Sequence, residues 1–471
     1  MSTKRWWTFI LAICALGFSL RVVLVNIDSA QQSNYLNDAY IYYFEAYANA
    51  DGHLSTAYQC LLMLPRSEQP PLIHQIMTTG QGPEMSQSLI NQITASLNIP
   101  KSQICNTRFS QFPPVTSLIY SIPILLGFNS ISDILDFVAL LGALTILITA
   151  LAGRKAFGNL VGLISAILVA VSPLFFSFDL RTMSEPVVQL NFAFLILSVV
   201  SFVKRQTYIS AIFIGICMGL VLLTRGESIL PDVALILILM VATWKHRKDA
   251  LLNGISKLGV ILVSFAISLS PWLIATYSQF GTPIISTDGG SALADSNSIR
   301  TFYGDSTGGW IAFSTSNVQL AKSKNYDNEI SQYDQKQALS FLSHHLSRWP
   351  SVVAVRFGRE YFVSYTSSQV GFLHGFDNWP YWIIYSYAGF LWIMTILGIY
   401  GFMLLWRARE RQLASILMLP IVASNSVLVM IYATPRILAG SFVALTLLAS
   451  FGIKELFTKL SQHRNVENST I

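Results

Sequence analysis

Charged side chains are scarce in this chain. They make up 11% of its 471 residues, where soluble domains carry about 25%. So little charge, beside 53% hydrophobic and 12% aromatic residues, excludes a soluble cytosolic enzyme and a disordered scaffold. Cysteine is rare as well, four in all, which excludes a disulfide-stapled mini-protein. No C-x2-C pair suggests a metal site. Neither a Walker loop nor a G-x-G-x-x-G fingerprint occurs, which argues against an ATP-driven pump. What the chain has instead is a series of long apolar runs.

A membrane-crossing helix needs about 20 mostly apolar residues. Ten runs approach this: 6–25, 134–152, 160–178, 187–203, 208–224, 229–244, 259–277, 381–406, 413–432 and 437–453. The first follows Lys4 and Arg5 and has no small-x-small cleavage site after it, so it reads as an uncleaved anchor. Segment 113–128 is apolar but shorter, with Pro123 inside. If it does not span, the basic turns Arg154/Lys155, Lys204/Arg205, Lys245/Arg247/Lys248 and Arg407/Arg409/Arg411 all share one side with both termini. The positive-inside rule prefers that arrangement, which lays 113–128 along the outer face as a juxtamembrane or re-entrant helix. The net charge of +6 then reflects orientation in a lipid bilayer, and no nucleic-acid partner is expected.

The expected fold is an all-α polytopic membrane protein with two large outer loops, 26–133 and 278–380. Three regions follow: a membrane module over 1–277, an outer-loop domain over 278–380, and a C-terminal region of spans and inside tail over 381–471. On this topology 20 acidic residues face outward and only 4 inward, so chemistry is expected at the outer rim. Cys60 and Cys105 share the first outer loop, an oxidising setting in which they are a candidate disulfide. Cys14 and Cys217 sit in spans, where cysteine serves as a small apolar filler.

Four rim constellations carry the candidate chemistry. The first outer loop contains Asn37-Asp38-Ala39-Tyr40, then Glu45, Asp51, Gly52 and His53, with the near-helical spacing of a helix lying on the membrane surface. Asp38 is either an N-cap or a carboxylate base at the water–lipid boundary. The turn Asp179-Leu180-Arg181-Thr182-Met183-Ser184-Glu185-Pro186 holds one arginine among acids. Its plain reading is a helix start, with Pro186 in the first turn and Glu185 favoured by the dipole. Thr224-Arg225-Gly226-Glu227 and Thr434-Pro435-Arg436 complete the set. Arg181, Arg225 and Arg436 each stand in a short outer turn, against the inside bias of basic residues. Such arginines either snorkel to headgroups or converge on a phosphate, which the guanidinium fork suits.

A sugar joined to a long isoprenoid phosphate fits this inventory. Its leaving group is already a stable anion. The reaction therefore needs a carboxylate to take the acceptor's proton and cations to hold the phosphate.

At this point the residues resemble a family, the GT-C glycosyltransferases, in particular the branch of protein mannosyltransferases and lipid A aminoarabinose transferases. Asn37-Asp38-Ala39-Tyr40 through Gly52-His53 resembles the family's first-loop motif, and Phe112-Pro113-Pro114-Val115 its juxtamembrane "YPPLY". Met183-Ser184-Glu185-Pro186 resembles "SEP", Leu223-Thr224-Arg225 "LTRP", Asp288-Gly289-Gly290 the end of "STNGG", and Pro435-Arg436-Ile437-Leu438 the late "RYL.P". The order is collinear over nearly the whole chain. Two departures stand out: Asn37 occupies a position where the family often has a second acid, and Gly226 replaces a proline.

The resemblance implies a GT-C-type bundle that moves a sugar from a polyprenyl-phosphate-linked donor to an acceptor (protein, lipid or glycan) on the outer face. The expected location is a bacterial inner membrane, with the site on the periplasmic side. The expected roles are Asp38 and Glu185 as catalytic acids, Arg225, Arg436 and Arg181 on the donor phosphate, and Tyr40 and His53 on the substrate. No cofactor is required. A divalent metal on Asp38 and Glu185, as in some relatives, is the alternative to direct catalysis. A non-catalytic polyprenyl-glycan binding or transport protein, and a surface-polysaccharide ligase or polymerase, are the competing functions. The adjacent His344 and His345 point to different sides of a helix and read as interfacial rather than metal-binding.

Overall fold

The computed structural model describes residues 2–27, 38–50, 111–244, 248–312 and 326–467. His53, Cys60 and Cys105 fall outside the described residues. Within them the chain is helical, with no strand.

The helices begin where local chemistry favours it. Ser2 caps α1 (Thr3–Val25) by accepting from the Arg5 amide. Ser130 and Asp133 form a reciprocal capping box at the start of α4 (Ile131–Phe157). Before α4 come α2 (Asp38–Ala50) and α3 (Val115–Leu125). After it follow α5 (Asn159–Val171), α6 (Glu185–Arg205), α7 (Tyr208–Leu222), α8 (Ile229–Trp244) and α9 (Lys248–Phe280). The expected span at 160–178 ends early, because Ser172 caps a separate short turn, Pro173–Phe176.

The second large loop contains α10 (Gly289–Ser296), α11 (Tyr326–His344) and α12 (Trp349–Glu360). The last two fall within a few residues of the amphipathic helices that the sequence pattern predicts at about 328–346 and 351–364. His344 and His345 each bond back to a carbonyl one turn earlier, and His345 stacks on Phe341. Three long helices close the chain: α13 (Tyr381–Arg407), α14 (Arg411–Ser426) and α15 (Phe442–Glu467). Here the expected run from 437 splits. Pro435–Leu438 forms a tight 3-10 turn and α15 starts only at Phe442.

Among the described residues, six helices are long and apolar enough to cross a membrane: α1, α4, α6, the Gly254–Phe280 part of α9, α13 and the Arg411–Val429 stretch. The apolar helices α3, α5 and α7 are shorter. Large apolar side chains such as Leu16, Ile267, Ile274 and Ile396 stand exposed on the long helices, as expected where lipid replaces water. The chain is a multi-pass membrane protein.

Packing is closest where small residues let backbones approach. A Cβ on Gly401 in α13 would overlap the Leu448 carbonyl of α15, and one on Gly215 in α7 would overlap the Ile261 carbonyl of α9. Helix α3 has 11 residues, too few to span. It packs against α2 and ties its Val115 amide to the Leu223 carbonyl at the end of α7. Helix α2 is more than a surface helix: Ala39, Ile41, Tyr42, Tyr43, Ala46 and Tyr47 are buried. An apolar cavity of about 460 Å³ lies between α12, α13, α14 and α15, lined by residues such as Leu391, Ile399, Val422 and Leu438.

Candidate active site

The candidate residues come from four places far apart in sequence. Asp38 opens α2, Glu185 opens α6, Arg225 follows α7, and Arg436 sits in the 3-10 turn before α15. Three contacts hold these starts in register. Thr182 Oγ1 donates to the Ala39 carbonyl at 2.9 Å, which ties the turn before α6 to α2. The Tyr120 hydroxyl donates to the Met183 carbonyl at 2.6 Å, tying that turn to α3. Asn191 Nδ2 donates to Thr224 Oγ1 at 3.0 Å, fixing the end of α7 beside α6.

The charged groups then meet. Glu185 Oε1 accepts from Arg225 Nη1 and from Arg436 Nε, both at 2.5 Å. Arg436 Nη1 reaches Asp38 Oδ2 at 2.8 Å. Arg225 also holds Ser184 Oγ at 3.1 Å and, through Nε, Glu227 at 2.5 Å. Exposure separates the two acids: the Glu185 side chain is 0% exposed and that of Asp38 is 29%. Both arginines are 14% exposed. They line a small cleft whose apolar walls come from Val188, Phe192, Pro231 and Val427. Glu185 Oε2 has no hydrogen-bond partner among the described residues.

Arg181 stands apart from this pair. Its guanidinium lies over the Trp379 ring at 5.4 Å. Burial pulls its pKa down to about 10, while the nearby charges of Asp377 and Glu185 oppose that fall. It remains a cation at neutral pH. Tyr40, two residues after Asp38 on α2, is half-buried against the apolar core.

The sequence reading missed several groups. Asp288 precedes α10 and is anchored by its amide to Ser286 Oγ at 3.0 Å, while Ser291 Oγ donates to its carboxylate at 3.1 Å. Burial first, and then the charge of Asp38, push the Asp288 carboxyl up to about 7. The family-like Asp288-Gly289-Gly290 pattern was visible, but nothing in it placed Asp288 near Asp38. A second omission is Arg21 in α1, wholly buried and paired with Asp179. It also donates to the Gly17 carbonyl at 3.0 Å. A charge inside an apolar run is costly unless paired, and that was the available signal. A third is α12, where Arg356 is buried and donates to the Ser296 carbonyl at 2.7 Å and the Val429 carbonyl at 3.0 Å. It braces the loop domain against the turn after α14.

Among the described residues no three His, Cys, Asp or Glu side chains gather as metal ligands. Asp38 and Glu185, the acids considered for a metal, are bridged by Arg436.

Residues 111–274 match the sequence family of dolichyl-phosphate-mannose-protein mannosyltransferases. No curated protein matches the chain. Among solved structures, the oligosaccharyltransferase AglB from Archaeoglobus fulgidus, in complex with an inhibitory peptide and a dolichol-phosphate, superposes with a TM-score of 0.50 at 13% identity. The alignment covers 100% of this chain and 52% of that one. The apo form of the A. fulgidus enzyme gives a TM-score of 0.49 at 13% identity, covering 98% and 52%.

The chain has the GT-C fold.

It spans about half the length of those archaeal chains. In the GT-C frame, the mannosyltransferase-like stretch runs from just before α3 into α9. It therefore contains Glu185 and Arg225 but neither Asp38 nor Arg436.

Proposed function

We propose that this chain is a membrane glycosyltransferase that moves a sugar from a polyprenyl-phosphate-linked donor to an acceptor at the outer face of the membrane. The observation that carries this reading is the bridged set Asp38–Arg436–Glu185–Arg225, assembled from four separate elements at the ends of apolar helices. Two guanidiniums on a shared buried carboxylate present their remaining N–H donors together, as a phosphate requires.

The chemistry follows from these positions. The acceptor's hydroxyl or amine attacks the anomeric carbon of the sugar. Asp38 takes the proton released by the acceptor as the new bond forms. The bond from the anomeric carbon to the phosphate oxygen breaks, and polyprenyl phosphate leaves as an anion held by Arg225 and Arg436. Arg181, farther along the same rim, supports the negative charge at longer range. Glu185 fixes both arginines through Oε1, and its unpartnered Oε2 is the atom left to orient a sugar or acceptor hydroxyl. Tyr40 flanks the substrate from α2.

The test is release of polyprenyl phosphate from a radiolabelled polyprenyl-phosphate sugar by the full chain in membranes. Asp38→Asn keeps the shape of the side chain and should abolish transfer while the donor still binds. Arg225→Ala should weaken donor binding itself by roughly tenfold or more, the scale of a lost charge-assisted hydrogen bond. Wild-type transfer by the Asp38→Asn protein would remove Asp38 as the base. Donor binding without turnover in any condition would favour the alternative of a polyprenyl-glycan binding protein.

A further inference from the structure

The charges at the rim do not balance in favour of an incoming anion. Arg225 and Arg436 face three carboxylates, Asp38, Glu185 and Glu227, all within ion-pair distance. Each arginine keeps its Nη2 outside these contacts, but the carboxylates outnumber the guanidiniums, so an incoming phosphate is repelled until one of the existing ion pairs opens.

Burial decides which one. Glu185 is 0% exposed. Stripped of its guanidiniums it would be an unpaired charge in an apolar surrounding, a costly state. Asp38 has 29% of its side chain in solvent, so water replaces Arg436 there at small cost. The contact that yields is therefore Arg436 Nη1 to Asp38 Oδ2, at 2.8 Å. The contact from Arg436 Nε to Glu185 stays and acts as the pivot.

We propose that Arg436 is an exchangeable counterion that passes from Asp38 to the donor phosphate. The inference rests on the glycosyltransferase reading above and adds a competition to it. In the resting state Asp38 occupies the phosphate's place on Arg436. Donor binding displaces Asp38 Oδ2 from the guanidinium and leaves both carboxylate oxygens to the acceptor. After transfer, loss of polyprenyl phosphate returns Arg436 to Asp38.

This scheme makes Asp38 a competitor of the very ligand it later helps to consume. Removing its charge should therefore tighten phosphate binding while it abolishes transfer, a combination that a merely structural role would not give. The probe is a polyprenyl monophosphate, the leaving group of the reaction, titrated against the full chain in nanodiscs. Asp38→Asn should bind it roughly threefold to tenfold more tightly than wild type, the scale of one partly exposed ion pair. Arg436→Ala should bind it more weakly, and Asp38→Asn should then add nothing in the double variant.

A structure with the same lipid bound provides the second measurement and does not depend on any variant folding. Arg436 should have left Asp38 and kept Glu185. An unchanged affinity in Asp38→Asn, or an intact Arg436–Asp38 pair in the lipid complex, overturns the exchange and leaves the glycosyltransferase reading standing. Failure of the wild-type protein to bind the lipid phosphate at all overturns both.

Discussion

Asp288 titrates in the neutral range, and that has a measurable sign. Its folded pKa of about 7 lies above the ordinary 3.8 because burial and the charge of Asp38 disfavour the carboxylate. Between those two values the folded protein holds a proton that the unfolded chain has lost. Stability contributed by this group is present below about pH 4 and falls away as the pH rises towards about 7. Asp288→Asn removes the titration. Melting temperatures in detergent should therefore show the variant gaining on wild type as the pH rises from 4 to 7, with a constant difference above about 8. A difference independent of pH would show that the carboxyl titrates normally. The same residue marks a limit of sequence reading. Arg225 and Arg436 stood out in the sequence because an arginine in a short outer turn runs against the inside bias of basic residues, and Asp38 and Glu185 because of the family-like motifs they sit in. That these four meet is seen only in the fold. Asp288 breaks no local expectation, since an acid before Gly-Gly at a helix start is ordinary. Its proximity to Asp38 is a product of tertiary folding alone.

At the level of elements, the pairing of α1 with the turn before α6 invites a direct test. Arg21 and Asp179 are buried together, and Asp179 is the first residue of the turn that delivers Glu185. Removing one partner leaves an uncompensated charge, so Arg21→Met alone should cost about 3–5 kcal/mol. The double change Arg21→Met with Asp179→Leu should recover most of that loss in a thermal melt. Equal destabilisation by the single and double variants would mean that the pair carries no special role. Gly142 adds a control, because a Cβ there would meet both Arg21 Nε and Asp179 Oδ2. Gly142→Ala should destabilise by about 1–3 kcal/mol, the usual cost of overpacking. The places of α11 and α12, though not their exact ends, followed from their amphipathic pattern. The late start of α15 did not, because the run 437–453 is continuously apolar. Only Pro435, with the tight 3-10 turn around it, breaks the helix there.

The whole molecule raises the question of sides. Basic-turn parity places Lys155 and Lys204 on the face opposite the loop that carries Tyr303. Single cysteines at Lys155 and at Tyr303, in an otherwise cysteine-free protein in sealed vesicles, should label from opposite sides with an impermeant maleimide. Labelling of both from one side would undo the outer-face assignment on which the proposed reaction depends. The all-helical bundle and the rim location of the charges were readable because lipid forces apolar runs into helices and forces charges to their ends. The depth to which α2 is buried was not, because a period of 3.6 residues shows an apolar face without saying what covers it.

The space between α13 and α14 gives the molecule a soft place. Ile399 and Val422 line the cavity and are themselves exposed, so it opens towards the lipid. Empty volume is what compression removes first. Hydrostatic pressure, or a bilayer with higher lateral pressure, should squeeze this seam. Xenon should seek it out, as it does dry apolar voids elsewhere, and a gas-pressurised crystal would show the atom near Leu438, two residues from Arg436. The turn that carries the mobile arginine is thus backed by compressible space on one side and by the charged cleft on the other.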